Sequence, residues 1–286
     1  MTTTISTHSL AAPDATVTYD VRGELGTGVP LLLVGSPMGA EGFATLARHF
    51  PDRPVVTYDP RGTGRSQRSD GSGELTPDAH AGDLQRIVDA LGGGPVDVFA
   101  TSGGAVNALA WVAGHGGQVR TLVAHEPPLA TVLPDRPALT AAIEEMHETY
   151  HLRGMGRAMA MFILLVGHDG ELPDGYRFPE VDPARFGLPT EDDGSRDDAL
   201  LGQNLRGCTG YWPDVAALRA TDARLVLARG AASGQTMAAR GADAVAELTG
   251  AELVLFPGDH GGFMGGEYGM QGEPEAFAQK LREVLG

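Results

Sequence analysis

The sequence predicts an α/β chain built around a mostly parallel sheet covered on both faces by helices. Three observations carry this. Short runs rich in β-branched residues and leucine recur, amphipathic helical segments separate them, and one run breaks at a serine set between small residues. That run is Val96, Asp97, Val98, Phe99, Ala100, Thr101 and Ser102, and Gly103–Gly104 then lead at once into a helix-forming stretch ending near Trp111. A serine at the apex of a sharp strand-to-helix turn sits in strained backbone geometry. Small residues are needed two positions before and after it so that strand and helix can pass closely. Ala100 and Gly104 meet that demand, and the pattern reads A-x-S-x-G.

The remaining elements follow in order. Residues 16–21 alternate polar and apolar, as in an antiparallel edge strand, whereas 30–34 and 55–58 are continuously apolar, as in strands buried on both faces. Thr76 followed by Pro77 marks a helix start, and Leu84, Ile87, Val88 and Leu91 then fall on one helical face. Strands are expected at 96–100, 121–124, 224–228 and 252–256, and a last helix carries Phe277, Leu281, Val284 and Leu285 as its apolar stripe. The alternation fails only between residues 134 and 210. Helices are expected there at 139–152 and 155–166, then a polar Pro/Gly/Asp-rich stretch and a short helix near 199–206. This reads as a helical cap (134–210) inserted between two strands of a core made of residues 1–133 and 211–286.

Composition narrows the function. A chain of 286 residues is long enough to bury a substantial core. The net charge of −16 argues against nucleic acid or an anionic membrane as partner, although acidity also serves solubility. The single cysteine, Cys208, excludes an internal disulfide and a cysteine-rich zinc site, and reads as a small buried hydrophobe. The N-terminus shows no basic segment followed by an apolar one. The longest apolar stretch, Met155–Val166, contains Arg157 and is too short to span a bilayer. The expectation is a cytoplasmic protein that acts on a small molecule with no cofactor and no metal, with no nucleic-acid or membrane partner, and with a homodimer as the assembly allowed.

Polar residues gather after the strand ends, where open α/β sheets place their chemistry. They are Gly35–Ser36–Pro37, the block Asp59-x-Arg61-Gly62-x-Gly64-x-Ser66, His125–Glu126, and Asp259–His260–Gly261. Together with the serine turn, these motifs resemble the α/β-hydrolase fold family over nearly the whole chain. The resemblance implies an eight-stranded, mostly parallel sheet flanked by helices, with a helical cap. It also implies a structural role for the Asp59–Ser66 block, which shapes a turn beside the site. Ser102 becomes the nucleophile and His260 the base. The other histidines lie near the N-terminus, on helices, in connecting loops or in the cap, and His125 reads as a packing or pocket residue. Aligning Gly35 and Pro37 with the family's oxyanion loop makes the N–H groups of Ser36 and Gly103 the oxyanion hole.

The acid is the departure. Where the family usually carries its carboxylate, after the strand at 224–228, this chain reads Gly230-Ala231-Ala232-Ser233. Glu126, at the end of the strand that follows the nucleophile, is the expected replacement. Asp259 and the absence of any acid are the alternatives. The implied reaction is acyl transfer from a small, largely apolar ester, thioester or lactone. C–C bond hydrolysis, lyase or cyclase chemistry, cofactor-free perhydrolysis and a non-catalytic ligand-binding role are the competing readings on the same scaffold. Substrate preference is expected from the cap, with His125, Tyr150, Met161, Phe162, Trp212 and Met264 as pocket residues and Met159 and Tyr211 as further candidates.

Overall fold

The computed structural model describes residues 4–71 and 73–286. Its strands are β1 (Ile5–Ala12), β2 (Ala15–Arg22), β3 (Leu31–Val34), β4 (Val55–Asp59), β5 (Gln67–Arg68), β6 (Val96–Thr101), β7 (Val119–His125), β8 (Arg224–Gly230) and β9 (Glu252–Phe256). Eight of them form one sheet in the order β1-β2-β4-β3-β6-β7-β8-β9, and the two-residue β5 pairs with β2. The pairs from β4 through β9 are parallel, while β1, β2 and β4 pair antiparallel. This is the expected α/β-hydrolase fold. Besides the two-residue β5, strand β1 is the addition. Its residues, ISTHSLAA, are mostly solvent-exposed, so no apolar face announces it, and only its pairing with β2 makes it a strand.

The helices are α1 (Ala44–Arg48), α2 (Pro77–Ala90), α3 (Gly103–His115), α4 (Arg136–Arg153), α5 (Met155–Val166), α6 (Leu205–Thr209), α7 (Val215–Ala220), α8 (Met237–Thr249) and α9 (Pro274–Leu285). Because successive strand side chains point to opposite faces, the continuously apolar strands supply two cores. Leu32, Val34, Val98 and Ala100 pack with residues of α2, α3 and α8, while Leu31, Leu33 and Phe99 pack with α1 and α9. The helix start at Thr76 is as the sequence predicts: its hydroxyl accepts the Ala79 N–H, and Pro77 opens the helix.

Between β7 and β8 the chain leaves the sheet. Helices α4 and α5 and the segment around α6 enclose an apolar cluster of their own, which includes Leu139, Met146, Tyr150, Met161 and Leu165 and is joined by Met237 of α8. The short helix expected near 199–206 is a π-helical turn, Ala199–Asn204, running into α6. It stands over the carboxyl ends of the strands.

The Asp59–Ser66 block shapes the turn after β4. The Asp59 carboxylate accepts the N–H groups of Ala40 and Arg65, and Ser66 Oγ donates to the Asp59 carbonyl while accepting the Thr18 N–H. Arg61 makes a two-pronged, buried ion pair with Asp83 of α2 at 2.6 and 2.7 Å, which offsets the cost of taking both charges out of water.

Candidate active site

The site begins with the turn from β6 into α3. Ser102 lies between them with φ 55° and ψ −130°, a conformation that costs a non-glycine residue about 1–3 kcal/mol and persists only where its surroundings hold it. What holds it is tight packing. A Cβ on Gly103 would stand 2.6 Å from the Ser36 carbonyl oxygen, and one on Gly104 would collide with the Val34 carbonyl oxygen. The Ser102 N–H continues the sheet ladder by donating to the His125 carbonyl at 3.0 Å. Among the described residues no hydrogen bond engages its hydroxyl, which opens into a cavity of about 510 Å³.

Ser36 follows β3 and Gly103 opens α3, and both line that cavity. As the first residue of α3, Gly103 has an N–H with no intrahelical acceptor. Among the described residues the Ser36 N–H also donates to no other group. Two adjacent free donors beside a half-buried serine hydroxyl are suited to hold a developing oxyanion.

His260 comes from the loop after β9 and reaches the same cavity with its ring half-exposed. Its Nδ1 lies 2.6 Å from Glu126 Oε2, although 134 residues separate the two in sequence. An ionised carboxylate only accepts, so the ring proton sits on Nδ1 and Nε2 is left as the basic atom. Glu126 is fully buried at the end of β7 and sits at φ 49°. Its second oxygen accepts the Gly230 N–H at 2.8 Å. Burial pushes the carboxyl pKa up, but the hydrogen bond from His260 and the neighbouring imidazoles outweigh it and bring it down to about 2. Asp259 also borders the cavity, but its Oδ1 caps the loop by accepting the Gly261 N–H at 2.9 Å.

The cavity wall is mostly apolar. Phe162, Leu165 and Val166 contribute one face of α5, Leu200 and Leu205 the π turn and α6, and Met237 and Met270 the core side. Of the expected pocket residues, Phe162 lies on this wall and five do not. Tyr150 is fully buried between the cap helices, where its hydroxyl accepts the Asp198 N–H. Met161 is one residue round the helix from Phe162, a turn of about 100° that sends it into the cap core. Met264 is buried under the sheet with Phe43 and Phe277, and Trp212 is exposed to solvent. Met159 packs on the cap core and Tyr211 against the sheet. Apolar character alone does not say which face of a cap helix turns toward the cavity. The spacing of Phe162, Leu165 and Val166 at i, i+3 and i+4 was the available signal for the true wall.

His125 is the fifth. It lies fully buried beneath His260, ring centroids 6.0 Å apart, between Phe99, Phe256 and Phe277, with Nδ1 3.1 Å from the Thr101 hydroxyl. Burial pulls its pKa down to about 4, and the same holds for His80 on α2. Both stay neutral in the fold while an unfolded chain would take up protons near pH 6.5, so stability is full above that value and falls as pH drops toward 4. Each contributes a loss of about 3 kcal/mol over that window. Thermal melts between pH 7 and 4.5 should therefore show a steep fall in Tm, shallower in His125→Phe; an unchanged slope in that variant would exclude His125 as a source. Glu126 has the opposite sign of charge and a depressed pKa, so its contribution is lost only as pH falls from about 4.5 toward 2.

Cys208 is buried at the cavity floor with Sγ 3.9 Å from the Gly103 carbonyl, and burial pushes its thiol up to about 12, so it serves as a small neutral wall residue. Among the described residues no group of three or more His, Cys, Asp or Glu is placed to hold a metal ion. No helix among them is long and apolar enough to cross a membrane.

Residues 31–160 match the α/β-hydrolase fold family. The chain is 29% identical over 266 residues to YraK, an uncharacterised hydrolase of Bacillus subtilis strain 168, covering 91% of each. In structure it is similar to a thermophilic esterase from Thermogutta terrifontis, at 20% identity and TM-score 0.67, covering 100% of this chain and 98% of that one. It is also similar to a bromoperoxidase from Bacillus anthracis, at 18% identity and TM-score 0.68, covering 98% and 99%. A serine turn on a parallel sheet, an imidazole brought to the same cavity from the far end of the chain and these likenesses converge: the chain has the α/β-hydrolase fold and is a hydrolase.

Proposed function

We propose that the chain hydrolyses small, uncharged, largely apolar carboxylic esters, thioesters or lactones through an acyl-enzyme on Ser102. The observation that carries this reading is the Glu126–His260 pair facing the cavity into which Ser102 opens. In the reading, His260 Nε2 takes the Ser102 proton as Oγ attacks the substrate carbonyl carbon. The N–H groups of Ser36 and Gly103 receive the oxyanion, and Glu126 steadies the imidazolium. Collapse breaks the bond to the alcohol or thiol, which leaves with the proton from His260. Water then attacks the acyl carbon, gives its proton to His260, and the acid departs as Ser102 recovers its hydrogen.

The preference for uncharged substrates follows from the lining. No Lys or Arg borders the cavity among the described residues, while Asp259 does. A substrate carboxylate would be desolvated there without a cationic partner. A volume of about 510 Å³ suits an acyl and leaving group of modest size. The test is a panel of p-nitrophenyl esters. Butyrate should exceed the equally long hemisuccinate by at least about tenfold in kcat/KM, corresponding to roughly 1.4 kcal/mol of desolvation. Equal rates on the two would remove the charge argument. Labelling by a fluorophosphonate probe checks the nucleophile separately: an unlabelled native protein would remove the serine mechanism.

A further inference from the structure

Three buried polar side chains from distant parts of the chain meet at the edge of the cavity. His80 on α2, Asn204 at the end of the π turn and Ser36 on the loop after β3 are 1, 2 and 5% exposed. His80 Nε2 lies 2.8 Å from Asn204 Oδ1, and Ser36 Oγ donates to the same oxygen at 3.4 Å. Asn204 Nδ2 donates to the Ala199 carbonyl at 2.7 Å, which fixes the amide so that its oxygen faces the other two. His80 Nε2 must then carry the proton. Burial outweighs the Asn204 bond, which favours the charged ring, and leaves His80 neutral at pH 7.

The anchoring continues on the neighbouring residue. Gln203 Oε1 accepts from Arg68 Nη1 at 2.6 Å, and the Gln203 carbonyl accepts the Leu75 N–H at 2.8 Å. The π turn thus ends on two consecutive residues that are both tied to the body of the fold, Gln203 to Arg68 and Asn204 to His80.

We infer that Asn204 is a positioning residue through which the cap sets the oxyanion loop: its amide oxygen, steadied by His80, holds the Ser36 hydroxyl and thereby aims the Ser36 N–H at the reacting carbonyl. The inference rests on the serine reading above, in which Ser36 is an oxyanion donor. It explains why a cap residue lining the cavity spends its acceptor on the core instead of on substrate. It also makes the cap part of the catalytic geometry as well as a wall: a cap displaced from the core releases the loop.

The test is kinetic. Asn204→Ala should lower kcat on p-nitrophenyl butyrate about 10–100-fold with KM within about twofold, the effect of a donor misplaced by a fraction of an ångström to an ångström. Affinity for phenylboronic acid, which forms a tetrahedral adduct with the serine, should weaken by a similar factor. Because Asn204 acts through the Ser36 hydroxyl, the double variant S36A/N204A should be no slower than N204A alone. Where N204A does not fold, His80→Leu and His80→Gln replace it: leucine should reproduce the kcat loss, and glutamine, which keeps a donor toward Asn204, should recover most of it. Wild-type kcat in N204A, additive losses in the double variant, or equal activity of the two His80 variants would overturn the inference. None of these outcomes touches the serine reading, which instead fails if the native protein escapes fluorophosphonate labelling.

Discussion

Ser102→Ala is expected to lower kcat on p-nitrophenyl butyrate by about 10⁵–10⁶-fold while leaving the fold and Tm close to wild type. The size of the loss follows from the proposed role: without Oγ there is no acyl-enzyme, and only binding and the free N–H groups of the loop and helix start remain to assist water. Stability should hold because Ser102 makes no side-chain hydrogen bond among the described residues, and alanine fits where serine does. The strained φ of 55° remains in the variant. A steady-state assay after active-site titration of the wild type checks the prediction. Hydrolysis that survives the substitution above about one part in a thousand would place the nucleophile elsewhere.

The second large effect concerns the acid. Glu126→Gln should cost about 10⁴ in kcat with little change in KM. A glutamine oxygen still accepts the Gly230 N–H, which turns its NH₂ toward His260 Nδ1. That donor favours the ring tautomer protonated on Nε2, which cannot take the serine proton. Ser233 offers a way to show that the missing property is the carboxylate. It is buried on the loop after β8 with its Oγ beside the Glu126 carboxylate, which it helps to keep ionised. An aspartate there would enter from the neighbouring strand end, so the double variant E126Q/S233D should regain about 10–100-fold over E126Q. Asp259→Asn should stay within several-fold of wild type, since that carboxylate caps its own loop at Gly261. Wild-type kcat in E126Q together with a collapse in D259N would transfer the acid role to Asp259.

Much of this was legible in the residues because much of it is local. The break from a continuously apolar run into a helix at Ser102, the Thr76–Pro77 helix start and the two-faced strands are set by neighbours within a few positions. Those same features carry the hydrolase fold. Strand β1 was not legible, because its exposed polar residues bear no pattern until β2 pairs with them. The pocket wall was only partly so. Met161 and Phe162 are adjacent, equally apolar and equally helical, and only packing of α5 against α4 decides which of them meets the cavity.

The sequence by itself determined the layered α/β architecture and the identity of the groups with chemistry to offer, since backbone periodicity and turn chemistry act over short range. The tertiary structure alone decided which of those groups meet. The imidazole of His260 and the carboxylate of Glu126 are 134 residues apart, and the amide of Asn204 joins partners 124 and 168 residues away. Contacts of that separation depend on how the sheet stacks its strand ends and where the cap settles on them, and no local preference of the chain encodes either.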